Sequence, residues 1–306
     1  MPAVNLRFSA SAASKYHNCH ASANLVEAIP GFELKPKEHA QARDQGTALH
    51  KILENIVNEV KELHDAATML REIAGLTNMG NAKTRTTTLT DEKKYVTWWF
   101  LKTGTPPVLE HKYLRALEFA GAGGMISTPP KLIRFLADCV DYIADIMDDH
   151  PNAVVRTEVT VKATWLSTEP NTTVDIIITD GDDLWVIDLK AGTIAVEVVG
   201  NEQLLYYAAC FDTDQLRLHL AILQQDNIGE WDVTPLFLQA WMYQMQDSEQ
   251  AILDGDMTFR AGSHCTFCPA NPRGKGDKGY PFCPEMIEIL YGASDDAAAD
   301  EAILED

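Results

Sequence analysis

The sequence predicts an α/β fold, a buried β-sheet flanked by helices, and three observations carry that expectation. Two Val/Ile-rich runs, 172–179 and 184–189, flank an Asp-Gly pair at Asp180-Gly181, a strong local signal for a β-hairpin. Both faces of each run are apolar, as in a strand covered on both sides. Apolar residues recur at helical spacing over 45–63 and 130–147, and the runs 154–163 and 216–223 read as further strands. Strands and helices therefore alternate along the chain.

Three charges interrupt the apolar hairpin: Asp175, Asp188 and Lys190. If Asp180 and Gly181 form the loop, Asp175 stands across from Val186, with Asp188 next along the same face. If Gly181 and Asp182 form it, Asp175 and Asp188 are directly opposite. In both registers the two-residue side-chain period puts the carboxylates on one face with Lys190 beside them. Neighbouring carboxylates in an apolar sheet repel each other and lose solvation, and a divalent cation is the usual remedy. Oxygen ligands suit Mg²⁺ or Mn²⁺. The alternative is a surface hairpin whose charges point to water, which the apolar flanks disfavour.

The chain has 306 residues, 46% of them hydrophobic, enough for one large domain or two small ones. No apolar run reaches the ~18 residues of a membrane span. The N-terminus MPAVNLRFSA lacks the basic-then-apolar order of a signal peptide. The expectation is a soluble, cytoplasmic protein with no membrane partner. A formal net charge of −20 argues against a broad nonspecific nucleic-acid coat, though not against a locally basic groove. Residues 291–306 read as an acidic, disordered tail with six acids and no base from Ser294 onward. That tail is either a docking peptide for a partner (a recombination or replication protein, if the resemblance given below holds) or a solubilising end.

The remaining elements follow in order. Residues 8–25 open with serines that can cap a helix, and Cys19 falls near the end of that helix. In 45–63, His50 shares a face with Leu53 and Val57, so it is either a core histidine or a metal ligand on a helix packed against the sheet. Gly46 and Thr47 would let that helix start close to the sheet. Residues 64–130 read as a mainly helical insertion, where Trp98, Trp99, Tyr113 and Phe119 suit packing or stacking on bases. Glu158 lies on the alternating strand 154–163, either near a metal through water or simply exposed. After the hairpin, 194–211 changes from strand to helix near Asn201, and Gln203 and Tyr207 share a helix face. A further helix is expected over 235–253. Cys139 and Cys210 sit in apolar segments as small core residues. Cys265, Cys268 and Cys283 gather in a Pro/Gly-rich segment, 259–286, that also carries Arg273, Lys275 and Lys278. Those three bases are either phosphate contacts or part of a solvated loop. Three thiols call for a fourth ligand; His264 is adjacent and Cys19 is the remote candidate.

Asp175, twelve intervening residues, then Asp188-Leu189-Lys190 resembles the site motif of the PD-(D/E)XK nuclease superfamily, with Val174 in place of the proline. The motifs Gly46-Thr47-x-x-His50 and Gln203-x3-Tyr207 resemble those of its RecB-like exonuclease branch. One N-terminal cysteine plus a C-terminal trio resembles the iron–sulfur staple of the AddB-type and CRISPR-associated exonucleases. The resemblance implies a restriction-endonuclease-like domain over residues 1–290, with a central mixed sheet, flanking helices and the 64–130 insertion. It implies that His50, Asp175, Asp188 and the Leu189 carbonyl hold Mg²⁺ or Mn²⁺, and that Lys190 acts at the scissile phosphate. Glu158 would border this site, Gln203 would order it, and Tyr207 would hold the substrate backbone. Cys19, Cys265, Cys268 and Cys283 would hold a [4Fe–4S] cluster. Zinc is the alternative, since the fourteen residues between Cys268 and Cys283 exceed the usual spacing. The implied activity is a metal-dependent DNA exonuclease acting at ends, on single strands, in phage or prophage replication or recombination within a bacterial host. The competing readings are a DNA-binding or recombination module whose catalysis is dispensable, and an iron–sulfur redox sensor.

Overall fold

The computed structural model describes residues 8–28, 41–59, 62–68, 70–71, 130–192, 194–212, 216–268 and 283–285. The aromatic residues of the insertion, Arg273, Lys275, Lys278 and the acidic tail lie outside the described residues. The α-helices are α1 (Ala13–Asn18), α2 (His20–Ala28), α3 (Gln41–Glu59), α4 (Pro130–Asp149), α5 (Glu202–Ala208) and α6 (Pro235–Leu253). Residues 63–68 are also helical. Two compact units divide the chain. The larger takes Pro36–Val161 and Thr172–Leu238, the smaller Met1–Lys35, Lys162–Asn171 and Gln239–Asp306. Among the described residues no helix is long and apolar enough to cross a membrane.

The larger unit is built on a five-stranded mixed sheet in the order β1-β2-β3-β4-β5. Its strands are Val154–Lys162, Asn171–Asp180, Asp183–Lys190, Arg217–Gln224 and Asn227–Val233. β3 and β4 run parallel, while β2/β3 and β4/β5 are antiparallel. A parallel pair needs a crossover, and the one between β3 and β4 contains α5. The α/β expectation of a mixed sheet with flanking helices therefore holds.

The hairpin closes on Gly181 and Asp182, with Asp180 facing Asp183 and Ile176 facing Ile187. This is the second of the two registers, and one step further it sets Asp175 across from Asp188. Gly181 has φ 56°, a turn conformation that glycine reaches without a Cβ clash. At this end Asp183 is buried and satisfied: it accepts from Arg217 at 2.5 Å and His219 at 3.2 Å. Both faces of the hairpin are covered, since Ile177 and Val186 are as fully buried as Ile178 and Ile187. One face packs with Leu49, Leu53 and Ile56 of α3 and with Leu136, Val140 and Ile143 of α4. Each such side chain contributes about 1.5–3 kcal/mol by leaving water. That burial holds α3, and with it His50, against the sheet.

The smaller unit has its own packing. Phe8 meets Tyr16 edge-on at 5.3 Å, and the Trp165 and Trp241 rings lie 5.6 Å apart. Glu249 is buried and accepts from the Ser167 N–H (2.8 Å), the Thr168 N–H (3.0 Å) and the Thr168 hydroxyl (2.5 Å). Those three donors are what make a buried carboxylate tolerable.

The structure corrects four expectations. The helix carrying His50 starts at Gln41, so Gly46 and Thr47 lie within it and not at its start. A Cβ on Gly46 would meet Ala191 at 3.5 Å, an ordinary contact, so no close approach depends on that glycine. Residues 8–25 are not one helix: a 3-10 turn at Ala10–Ala12 leads into α1, and Cys19 is extended (φ −149°, ψ 95°) before α2 begins. Residues 194–199 are irregular and not a strand, because the Gln224 side chain binds their backbone. Finally, β5 is a strand the sequence reading does not anticipate; its alternate residues are exposed, as suits an edge.

Candidate functional site

Helix α3 and strands β1 to β3 converge in the larger unit on a small open cleft lined by residues that include His50, Glu158, Asp175 and Leu189. His50 Nδ1 lies 3.5 Å from a Glu158 oxygen and 3.6 Å from Asp175 Oδ1. One ligand atom from each of these three residues falls within 4.8 Å of the others. The other ring nitrogen, Nε2, is 3.1 Å from the Leu189 carbonyl, and the Leu189 N–H donates to Asp175 Oδ2 at 2.8 Å. One residue of β3, Leu189, thus meets the imidazole through its carbonyl and the carboxylate through its N–H.

Glu158 is placed by its backbone. It stands at φ 50° inside β1. That left-handed conformation costs an L-residue about 1–2 kcal/mol and marks a position where neighbours impose the geometry.

Asp188 is only 2% exposed. Its Oδ1 accepts from Gln203 Nε2 at 3.0 Å. Lys190 Nζ stands 2.8 Å from Oδ2 and supplies that buried oxygen with its countercharge. Lys190 also donates to Gln203 Oε1 at 2.9 Å, and Gln203 Nε2 donates to the Tyr207 hydroxyl at 2.7 Å. Gln203 therefore links Asp188, Lys190 and Tyr207. Its helix begins at an Asn201 cap, whose side chain accepts from the Gln203 and Leu204 N–H groups at 3.1 Å each.

The electrostatics follow from this crowding. Burial pushes the Asp175 carboxyl up and the Asp188 charge adds to it, bringing it to about 6 against the opposing pull of His50 and the Leu189 N–H. Burial likewise raises Asp188, against Lys190 and His50. Burial alone would lower His50, but the Glu158 hydrogen bond and the Asp175, Glu158 and Asp188 charges outweigh it and raise the imidazole. Burial, then the Asp188 charge, raises Tyr207.

Among the described residues, Glu158, Asp175 and Asp188, with Glu54 also lining the cleft, outnumber the one imidazole and one ammonium, so positive charge is short. Carboxylate and carbonyl oxygens with a single imidazole suit a hard divalent cation.

The cysteines occupy the smaller unit. Cys19, Cys265, Cys268 and Cys283 are all buried. Cys19 sits in the break after α1, and α1 packs against the 3-10 turn Ser263–Phe267 that carries Cys265. The Gly262 N–H points at Cys265 Sγ at 3.4 Å, and the Cys268 N–H donates to the Cys265 carbonyl at 3.1 Å. His264 Nε2 is instead 2.9 Å from the Arg260 carbonyl. Cys139 is a core residue, as its place in the α4 pattern suggests, and burial pushes its thiol well up.

Of the candidates from the sequence, His50, Glu158, Asp175, Asp188, Leu189, Lys190, Gln203 and Tyr207 belong to the larger unit, and the four cysteines to the smaller. Sequence reasoning missed Gln224, which ends the apolar run of β4 and is itself 3% exposed. The one signal it offers is a polar residue closing a buried strand.

A family model described as "Protein of unknown function (DUF2800)" matches residues 6–276. No curated protein matches the chain. The crystal structure of SSO0001 is similar at 16% identity and a TM-score of 0.28, covering 66% of this chain and 91% of that one.

Proposed function

The chain belongs to the family described as "Protein of unknown function (DUF2800)", and for it we propose a metal-dependent deoxyribonuclease that hydrolyses phosphodiesters at DNA ends. The observation that carries this reading is the grouping of His50, Glu158 and Asp175 beside the clasp that Lys190 and Gln203 form on buried Asp188. His50, Glu158, Asp175 and Asp188, with the Leu189 carbonyl, would hold Mg²⁺ or Mn²⁺. Such an ion supplies charge neutralisation at a phosphate and acidifies water. Lys190, 29% exposed, would place its ammonium on a non-bridging phosphate oxygen as charge develops there. Gln203 keeps Lys190 and Asp188 in register. Tyr207 would hold the strand through its hydroxyl. The test is Mn²⁺-dependent digestion of linear against covalently closed circular DNA. Release of nucleotides from the linear form alone supports the reading; no release from either overturns it.

For the smaller unit the reading is a [4Fe–4S] cluster on Cys19, Cys265, Cys268 and Cys283. Four buried thiols from opposite ends of the chain support it, as does the Gly262 N–H aimed at sulfur, a contact that tunes cluster thiolates. Iron and acid-labile sulfide at about four per chain after anaerobic purification is the expected result. Stoichiometric zinc without iron would replace the cluster with a zinc site.

A further inference from the structure

We infer that Gln224 is a positioning residue: it fixes the segment after Lys190 and so sets Gln203 and Tyr207 against Asp188 and Lys190. Its effect on cleavage rests on the nuclease reading; its structural effect does not.

Gln224 is the last residue of β4 and pairs with Lys190, the last residue of β3. Backbone pairing stops there, and the Gln224 side chain takes over the ladder. Its Oε1 accepts from the Val196 N–H at 3.0 Å, and its Nε2 donates to the Gly192 carbonyl at 2.8 Å and the Ile194 carbonyl at 2.5 Å. Both amide protons are used, so the side chain has one allowed orientation. The segment is held twice more. Val198 packs on Gly229 of β5 so closely that a Cβ there would lie 3.0 Å from Val198 Cγ1. The Asn201 N–H then donates to the Val198 carbonyl at 3.1 Å, and Asn201 caps α5.

These anchors matter because Gln203 must reach back thirteen residues to Lys190. Its contacts there are 2.9 and 3.0 Å long; buried Leu204, Leu205 and Ala208 dock α5 on β3 and β4, and the anchors set where its first turn begins. All three hydrogen bonds of the Gln224 side chain go to the segment, so beyond its backbone pairing with Lys190 it acts through that segment.

The test uses Gln224→Met, which keeps length and loses all three bonds. Gly229→Ala is the second variant; it presses on Val198 and leaves the Gln224 amide in place. Acylation of Lys190 is followed by mass spectrometry in the full chain, with Lys131 and Lys162 as internal references. Lys190 should acylate about tenfold faster in Gln224→Met, as expected for loss of a hydrogen bond to a charged group, with the reference lysines unchanged. On DNA with Mn²⁺, kcat should fall about 10- to 100-fold at unchanged KM, the scale of a misplaced catalytic group. Gly229→Ala should shift both readouts the same way by less. A lower melting temperature with an unchanged Lys190 ratio would overturn the proposal, as would a faster Lys190 with wild-type kcat. If the wild type cleaves no DNA, the nuclease reading fails, and the Lys190 ratio alone decides whether Gln224 positions the clasp.

Discussion

Asp175→Asn should stabilise the cation-free protein, although it removes a central residue of the site. The carboxyl rises from 3.8 to about 6, through burial first and the Asp188 charge second. A folded-state value above the unfolded one means that the fold prefers the protonated form. The resulting destabilisation is absent below about pH 3.8, grows as pH rises, and is complete above about 6. A shift of that size corresponds to at most about 3 kcal/mol at pH 8. Asparagine keeps an acceptor for the Leu189 N–H but gives up the countercharge to His50, so about 1–2 kcal/mol of gain should remain. For a chain of this size that raises the melting temperature by about 1.5–3 °C. The assay is thermal unfolding in EDTA from pH 4 to 8. The variant should melt above wild type at pH 8, and the gap should close toward pH 4. Adding Mn²⁺ at pH 8 should reverse the order, since only the wild type then gains binding energy. A variant less stable than wild type by the same amount at both ends of the pH range would refute the claim that these carboxylates are held against their repulsion.

Other predictions follow from the same geometry. Glu158→Gln should weaken Mn²⁺ binding about 10- to 100-fold, a typical loss for a group that supports a metal site. Glu158→Gly should weaken it similarly, yet melt in EDTA no lower than Glu158→Ala, because glycine takes φ 50° without strain. Glu249→Ala should cost about 2–4 kcal/mol, since it strands two N–H groups and a hydroxyl, and should speed amide exchange at Ser167 and Thr168. Cys265→Ser should lose iron and visible absorbance and lower the melting temperature, while Mn²⁺ affinity in the other unit is unchanged; a cluster-free, well-folded and inactive variant would contradict a structural role.

Much of the site was legible because the side-chain period of a strand is two. That period placed Asp175 and Asp188 together in either hairpin register, so the conclusion did not depend on which loop closed. It could not choose between the loops, since Asp180-Gly181 and Gly181-Asp182 both suit a tight turn; pairing of Asp180 with Asp183 settles it. His50 was legible from its spacing to Leu53 and Val57. The segment 194–199 misled, because IAVEVV has strand composition while its hydrogen bonds go to a side chain 28 or more residues away. Cys19 misled in a smaller way: a helical pattern continues through it, and only the extended backbone at that position separates α1 from α2. The left-handed Glu158 left no trace in the sequence, because nothing in VVRTEVTVKA signals a positive φ.

The most direct test of the central claim is cleavage of end-labelled linear single- and double-stranded DNA by the cluster-replete protein with Mn²⁺, wild type against Lys190→Ala. Lys190 is the one ammonium among the described residues at the clasp with Asp188 and Gln203. The account predicts shortening of the labelled strand by wild type and none by the variant, with both binding Mn²⁺. Equal cleavage by the two proteins, or none by a Mn²⁺-loaded wild type, would contradict it.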